Sequence, residues 1–122
     1  MKVALTVWEG RISPLFDVTR MLLIADIESH RVSEKHFEPF DFDSAFFRAE
    51  KLHDLGVKVL ICGGISGFFD SLIEAKGIQI IPFAAGAANE VLEAYVNGNL
   101  FTERFRMPGC KLSNDTQVSE ED

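Results

Sequence analysis

Apolar residues follow two rhythms along this chain. Short, nearly unbroken apolar runs occur at Lys2–Val7, Met21–Ile27, Val57–Ile61 and Ile78–Ile81. Runs of that length, rich in Val, Ile and Leu, predict buried strands. Arg31–Phe37 follows Met21–Ile27 after only Glu28-Ser29-His30, which predicts an antiparallel hairpin. Three other stretches have helical spacing. Ala45, Ala49 and Leu52 share a face in a helix over about Ser44–Leu55. Phe68, Phe69, Leu72 and Ile73 do so in the next, and Ala87, Ala88, Val91, Leu92 and Tyr95 in the last. Gly56, Gly77 and Asn97-Gly98 are stop signals for these three helices.

The predicted order is β-β-β-α-β-α-β-α. It implies an α/β fold, with a mixed five-stranded sheet between helices in three α/β/α layers. The unit Val57–Ile81 is strand–helix–strand and forces its strands parallel. Lys2–Val7 is expected beside Val57–Ile61, which brings the Trp8–Phe16 loop next to Cys62-Gly63-Gly64. Leu100–Arg106 reads as a short edge strand or an extended arm.

Length and charge narrow the picture. The chain has 122 residues, 47% of them hydrophobic, enough for one domain over 1–112 with a real core. Residues 113–122 carry four acids and no base, the composition of a disordered acidic tail. A net charge of −7 disfavours nucleic acid and acidic membranes as partners. No apolar run is long enough to cross a bilayer, and the chain enters a strand at once rather than a secretory signal. Two distant cysteines make no disulfide framework, so a reducing cytoplasm is the expected setting.

Ligands of open α/β sheets bind beyond the carboxyl ends of the strands. Here those ends carry Cys62-Gly63-Gly64 and Phe83-Ala84-Ala85-Gly86, each leading into a helix N-terminus that favours an anion. The alternative is that the glycines only make turns. Arg11 and Ser13, in the loop after the first strand, would add a guanidinium and a hydroxyl, or serve as a surface arginine and a turn serine. Cys62 is either a small core residue or a thiolate able to bind a soft metal, and Cys110 could fold back as a second ligand. His30, His36 and His53 lie away from these strand ends and read as surface residues. No phosphate loop, dinucleotide fingerprint, nucleophile elbow or carboxylate cluster is present, which argues against an enzyme. Phe47 points away from the Ala45–Ala49–Leu52 face. With Phe40 and Phe42 it is either covered by the preceding loop or exposed as a partner or homodimer surface.

Gly10-Arg-Ile-Ser-Pro-Leu-Phe-Asp17, Ile61-Cys-Gly-Gly-Ile65 and Asn89-Glu-Val-Leu-Glu-Ala-Tyr-Val-Asn-Gly98 together resemble the dinitrogenase iron–molybdenum cofactor biosynthesis family. That family includes NifX-like proteins, the carboxyl-terminal domain of NifB-like proteins and the orange protein of sulfate-reducing bacteria. The resemblance covers about residues 2–112. It implies a ribonuclease-H-like three-layer fold and the binding or carriage of a metal–sulfur cluster or its precursor. It runs through Arg11, Ser13, Phe16 and Gly63-Gly64. Some members carry a histidine, a candidate ligand, directly after the proline of the first motif; here that position is Leu15.

The leading expectation is a non-enzymatic carrier of an anionic molybdenum- or iron-containing sulfur cluster. Gly63-Gly64 and Ala85-Gly86 would hold it with Arg11 and Ser13, a thiolate would come from Cys62 or Cys110, and a donor or acceptor protein would be its partner. The rival is an interaction module using the Phe40–Phe47 region with no cofactor. A third is a nucleotide-binding regulator using the same helix N-termini.

Overall fold

A computed structural model describes residues 1–41, 43–99 and 105–107. Its strands are β1 (Lys2–Trp8), β2 (Arg11–Ile12), β3 (Met21–Glu28), β4 (Arg31–Pro39), β5 (Val57–Ile61) and β6 (Gln79–Ile81). Its helices are α1 (Ala45–Asp54), α2 (Gly67–Glu74) and α3 (Ala88–Val96), with a 3-10 turn at Phe16–Val18. The main sheet runs β4-β3-β1-β5-β6, and β2 pairs with β1 outside that path. The predicted hairpin and the parallel β1–β5–β6 set are therefore present. The sheet has six strands rather than five, because Arg11–Ile12 is itself a strand.

Strand alternation divides the core. Val3, Leu5 and Val7 of β1 join Leu23, Val59 and Ile61 beneath Val91 and Leu92 of α3. Ala4 joins Leu22, Ile24 and Leu60 on the opposite face, beneath Ala49 and Leu52 of α1 and Ile73 of α2. The period of two sends alternate residues to opposite faces, and both faces are covered. Ser44 and Ser66 cap α1 and α2 by accepting the backbone N–H of Phe47 and Phe69.

Burial departs from the simple apolar pattern at several positions. Phe68 is exposed while Ile73 is buried, so the inner face of α2 is narrower than the four apolar residues suggest. Phe40 is fully buried in the α1/α2 core and is no part of an exposed aromatic patch. Phe46 and Phe47 are the exposed pair, and Phe42 lies outside the described residues. Arg48, a charge that the pattern assigns to solvent, is fully buried.

The two edges of the sheet are unlike. β4 has nine residues, mostly exposed, and a register shift where β3 passes from Asp26 to Ile27. β6 has three residues. Among the described residues, no helix is long and apolar enough to cross a membrane.

Candidate functional site

The carboxyl ends of β1, β5 and β6 face one way, and the loops leaving them are tied together by backbone hydrogen bonds. β1 turns through Glu9 and Gly10, both at positive φ (51° and 79°), into β2. Two successive positive φ values are the signature of a tight hairpin turn matched to strand twist. Ile12 N–H then donates to Gly86 O at 2.9 Å, and Ala88 N–H to Gly10 O at 2.9 Å. These bonds hold Arg11 opposite Ala87, the residue that starts α3. No side chain caps that helix.

Next, the chain arches against the β5 loop. Gly64 N–H donates to Pro14 O at 2.7 Å, and Phe16 N–H donates back to Gly64 O at 2.8 Å. Expected proximity between the first loop and Cys62-Gly63-Gly64 is thus present, and it explains Gly63. A Cβ at Gly63 would lie 2.5 Å from Ser13 O and 2.6 Å from Pro14 O. Only glycine admits that approach. The β6 loop is tied in by Phe83 N–H to Gly63 O and Ala84 N–H to Cys62 O, both 2.9 Å. Phe83 adopts φ 64°, a strained conformation for a bulky side chain, and its carbonyl accepts from Met107 N–H.

This geometry revises the expected anion cradle. Gly64 N–H and Ala85 N–H are engaged by Pro14 O and Phe105 O, so neither points at a ligand. Ser13 is buried, and its hydroxyl donates to Leu15 O at 3.3 Å. Cys62 packs in the α1/α2 core, and burial, followed by the nearby Asp70 and Asp17 carboxylates, pushes its thiol up to about 12. A soft-metal ligand would instead need a lowered pKa and access. Cys110 lies outside the described residues. Of the expected residues, Arg11 remains exposed at the loop edge, set against the uncapped start of α3.

The buried thiol has a measurable consequence. Its folded pKa lies above its unfolded value, so its stabilising effect is complete below about 9 and declines as pH rises towards about 12. The stability of wild type relative to Cys62→Val should therefore fall over that window, followed by urea unfolding. In a Cys110→Ser background, native protein at pH 8 should react with a thiol reagent only slowly until denaturant is added.

Sequence reasoning missed a crevice of about 550 Å³ on the same edge, between the β1–β2 turn and the Ser13–Met21 segment. Trp8, Pro14, Val18, Met21 and Phe37 give it apolar walls, and Glu9, Thr19 and Arg20 add polar groups. Its parts come from four separate chain segments, and only the isolated Trp8 at a strand end hinted at it. Arg11 pairs with Trp8 across the ribbon and stands beside this crevice. Arg20 reaches Asp41 at 2.7 Å and Asp43 at 3.3 Å. Among the described residues, no three His, Cys, Asp or Glu side chains converge as a metal cage.

The sequence profile of the dinitrogenase iron–molybdenum cofactor family matches residues 1–98. Among solved structures, PH0822 superposes with a TM-score of 0.79 at 22% identity, over 84% of this chain and 95% of its own. The apo orange protein from Desulfovibrio gigas gives 0.67 at 15% identity, over 80% and 88%. MJ0327 from Methanocaldococcus jannaschii gives 0.65 at 23% identity, over 81% and 90%. At these identities the structural likeness shows a shared fold. No significant match is found among curated proteins.

Proposed function

This chain belongs to the dinitrogenase iron–molybdenum cofactor family, and from that premise we propose that it binds an anionic metal–sulfur cluster as cargo at the carboxyl edge of its sheet. The observation that carries the reading is the placement of Arg11. Backbone bonds on both sides hold it opposite the uncapped start of α3 and beside the apolar crevice. A guanidinium offers five fixed donors to an anion, and a helix start adds partial positive charge. The cargo would be retained by charge and packing rather than by protein thiolates, since the described residues supply no ligand cage and Cys62 is a protonated core thiol. A binding and delivery role in cofactor assembly, rather than turnover, fits that chemistry.

The test is anaerobic. Protein mixed with tetrathiomolybdate or an iron–sulfide source is desalted, and metal and the visible spectrum are measured. Stoichiometric metal with a charge-transfer band is expected for wild type and Cys62→Val. Arg11→Ala should retain about a tenth or less, the loss of one charge-assisted contact. A colourless, metal-free wild type with every source would overturn the reading, and undiminished retention by Arg11→Ala would move the site elsewhere.

A further inference from the structure

Exposed apolar side chains are distributed unevenly. Among the described residues, all the large exposed hydrophobics except Met1 lie at the carboxyl end of the sheet. Trp8, Met21 and Phe37 stand where β1 ends, β3 begins and β4 nears its end, bordering the crevice. Phe46, Phe47 and Phe68 occupy the first turns of α1 and α2, which start at the same end because each follows a strand that finishes there. The two helices begin alike, Ser44-Ala45-Phe46-Phe47 and Ser66-Gly67-Phe68-Phe69, and each serine caps onto the N–H of the second phenylalanine. Leu15 and Val18, in the arch that follows β2, are exposed as well, and Val18 lines the crevice.

We propose that this end is a docking face for a second protein, one that presents an apolar surface rimmed by lysine and arginine. The five aromatic rings are 55–68% exposed. At the usual 150–250 Å² per ring they offer roughly 600 Å². A standard interface takes about 800 Å² from each partner, and about 600 Å² is the upper end of the apolar patches that monomers expose, which are often functional. Charge selects the partner. Between the arch and the two helices lie Asp17, Asp41, Asp43 and Asp70; among the described residues there, Arg20 pairs with Asp41 and Asp43, Lys76 pairs with Glu50 and reaches over the Phe46 ring, and Arg48 is buried, so acids remain in excess at that surface. A second copy would set the same acids against each other and carry a net charge of −7 itself. A basic partner meets complementary charge instead. The proposal deepens the cargo reading by naming the chemistry of the protein that receives or delivers at that edge, but its test needs no cluster.

Metal-free, isotope-labelled full-length protein is titrated at physiological ionic strength with an amphipathic leucine–lysine peptide, and separately with a leucine–glutamate peptide of equal length. Amide shifts are expected with the lysine peptide alone, centred on Trp8, Val18, Phe47 and Phe68. Phe37→Ser and Phe47→Ser should each weaken binding about ten-fold, as truncation of a central aromatic contact does, while Lys58→Gln at the far end should not. Equal binding of both peptides would overturn the proposal, as would shifts confined to the acidic residues 113–122. A mass that doubles with concentration in light scattering would also overturn it, in favour of a second copy. Because metal retention is measured separately, failure here leaves the cargo reading standing, and the converse holds too.

Discussion

Arg48→Ala is expected to cost about 3–5 kcal/mol of folding stability, the range for emptying a large buried site, with a fall in Tm on the order of 10–20 °C. Arg48 is 1% exposed and tops the fully buried side chains by volume. Its guanidinium carbon lies 4.7 Å from the Phe40 ring centre and 5.6 Å from that of Phe16. It also donates to Phe16 O at 3.1 Å. Burial, and then Arg20, draw its pKa below the ordinary value, while Asp43, Asp17 and Asp41 act in the opposite sense. Alanine removes the stem between two rings and the donor to a buried carbonyl together. Arg48→Met keeps the stem and discards the charge along with its desolvation penalty, so it should lose less than half as much. Urea unfolding of the two variants decides the matter. An alanine variant within about 1 kcal/mol of wild type would mean that the arch is anchored elsewhere.

Gly63→Ala should be the most damaging single methyl addition, at about 3 kcal/mol. The new Cβ meets backbone at Ser13 and Pro14 rather than the yielding end of a side chain. To make room, the arch must move away from β5 and stretch Gly64 N–H to Pro14 O and Phe16 N–H to Gly64 O. Gly64→Ala is the internal control. Its Cβ would come no closer than 3.4 Å to Pro14 O, and it should cost about 1 kcal/mol or less. Equal losses at the two positions, by denaturant titration, would contradict this account of the paired glycines.

The runs Lys2–Val7, Met21–Ile27 and Val57–Ile61 identified the central strands because both faces of the sheet are covered, so alternation is suppressed. Arg11–Ile12 escaped notice since two residues show no period, although Glu9-Gly10 supplies the turn. Arg48 was hidden by its charge, and its burial depends on Phe16 and Phe40 arriving from distant loops. The site was legible only in part. Glycines at strand ends marked the right edge of the sheet, but whether a backbone N–H faces a ligand or a neighbouring carbonyl is decided by tertiary closure. At Gly64 and Ala85 a carbonyl takes it. Cys62 continues the alternation of its strand into the core, which local composition could not separate from an accessible thiol.

The unlike edges of the sheet determine how this molecule can associate. β4 carries Arg31, Glu34, Lys35, His36 and Glu38 along an exposed rim, and its register shift bends that rim out of line. β6, at three residues, gives an incoming strand little to grip. Among the described residues, strand addition is therefore discouraged on both flanks, and exposed apolar side chains are concentrated at one end. An end-on contact of the kind proposed would close after a single event, because among the described residues the opposite end, with Met1, Lys2 and Lys58, presents no comparable group of exposed aromatic side chains. Such a molecule can hold oily side chains in water at high concentration and still form discrete, finite complexes rather than fibres.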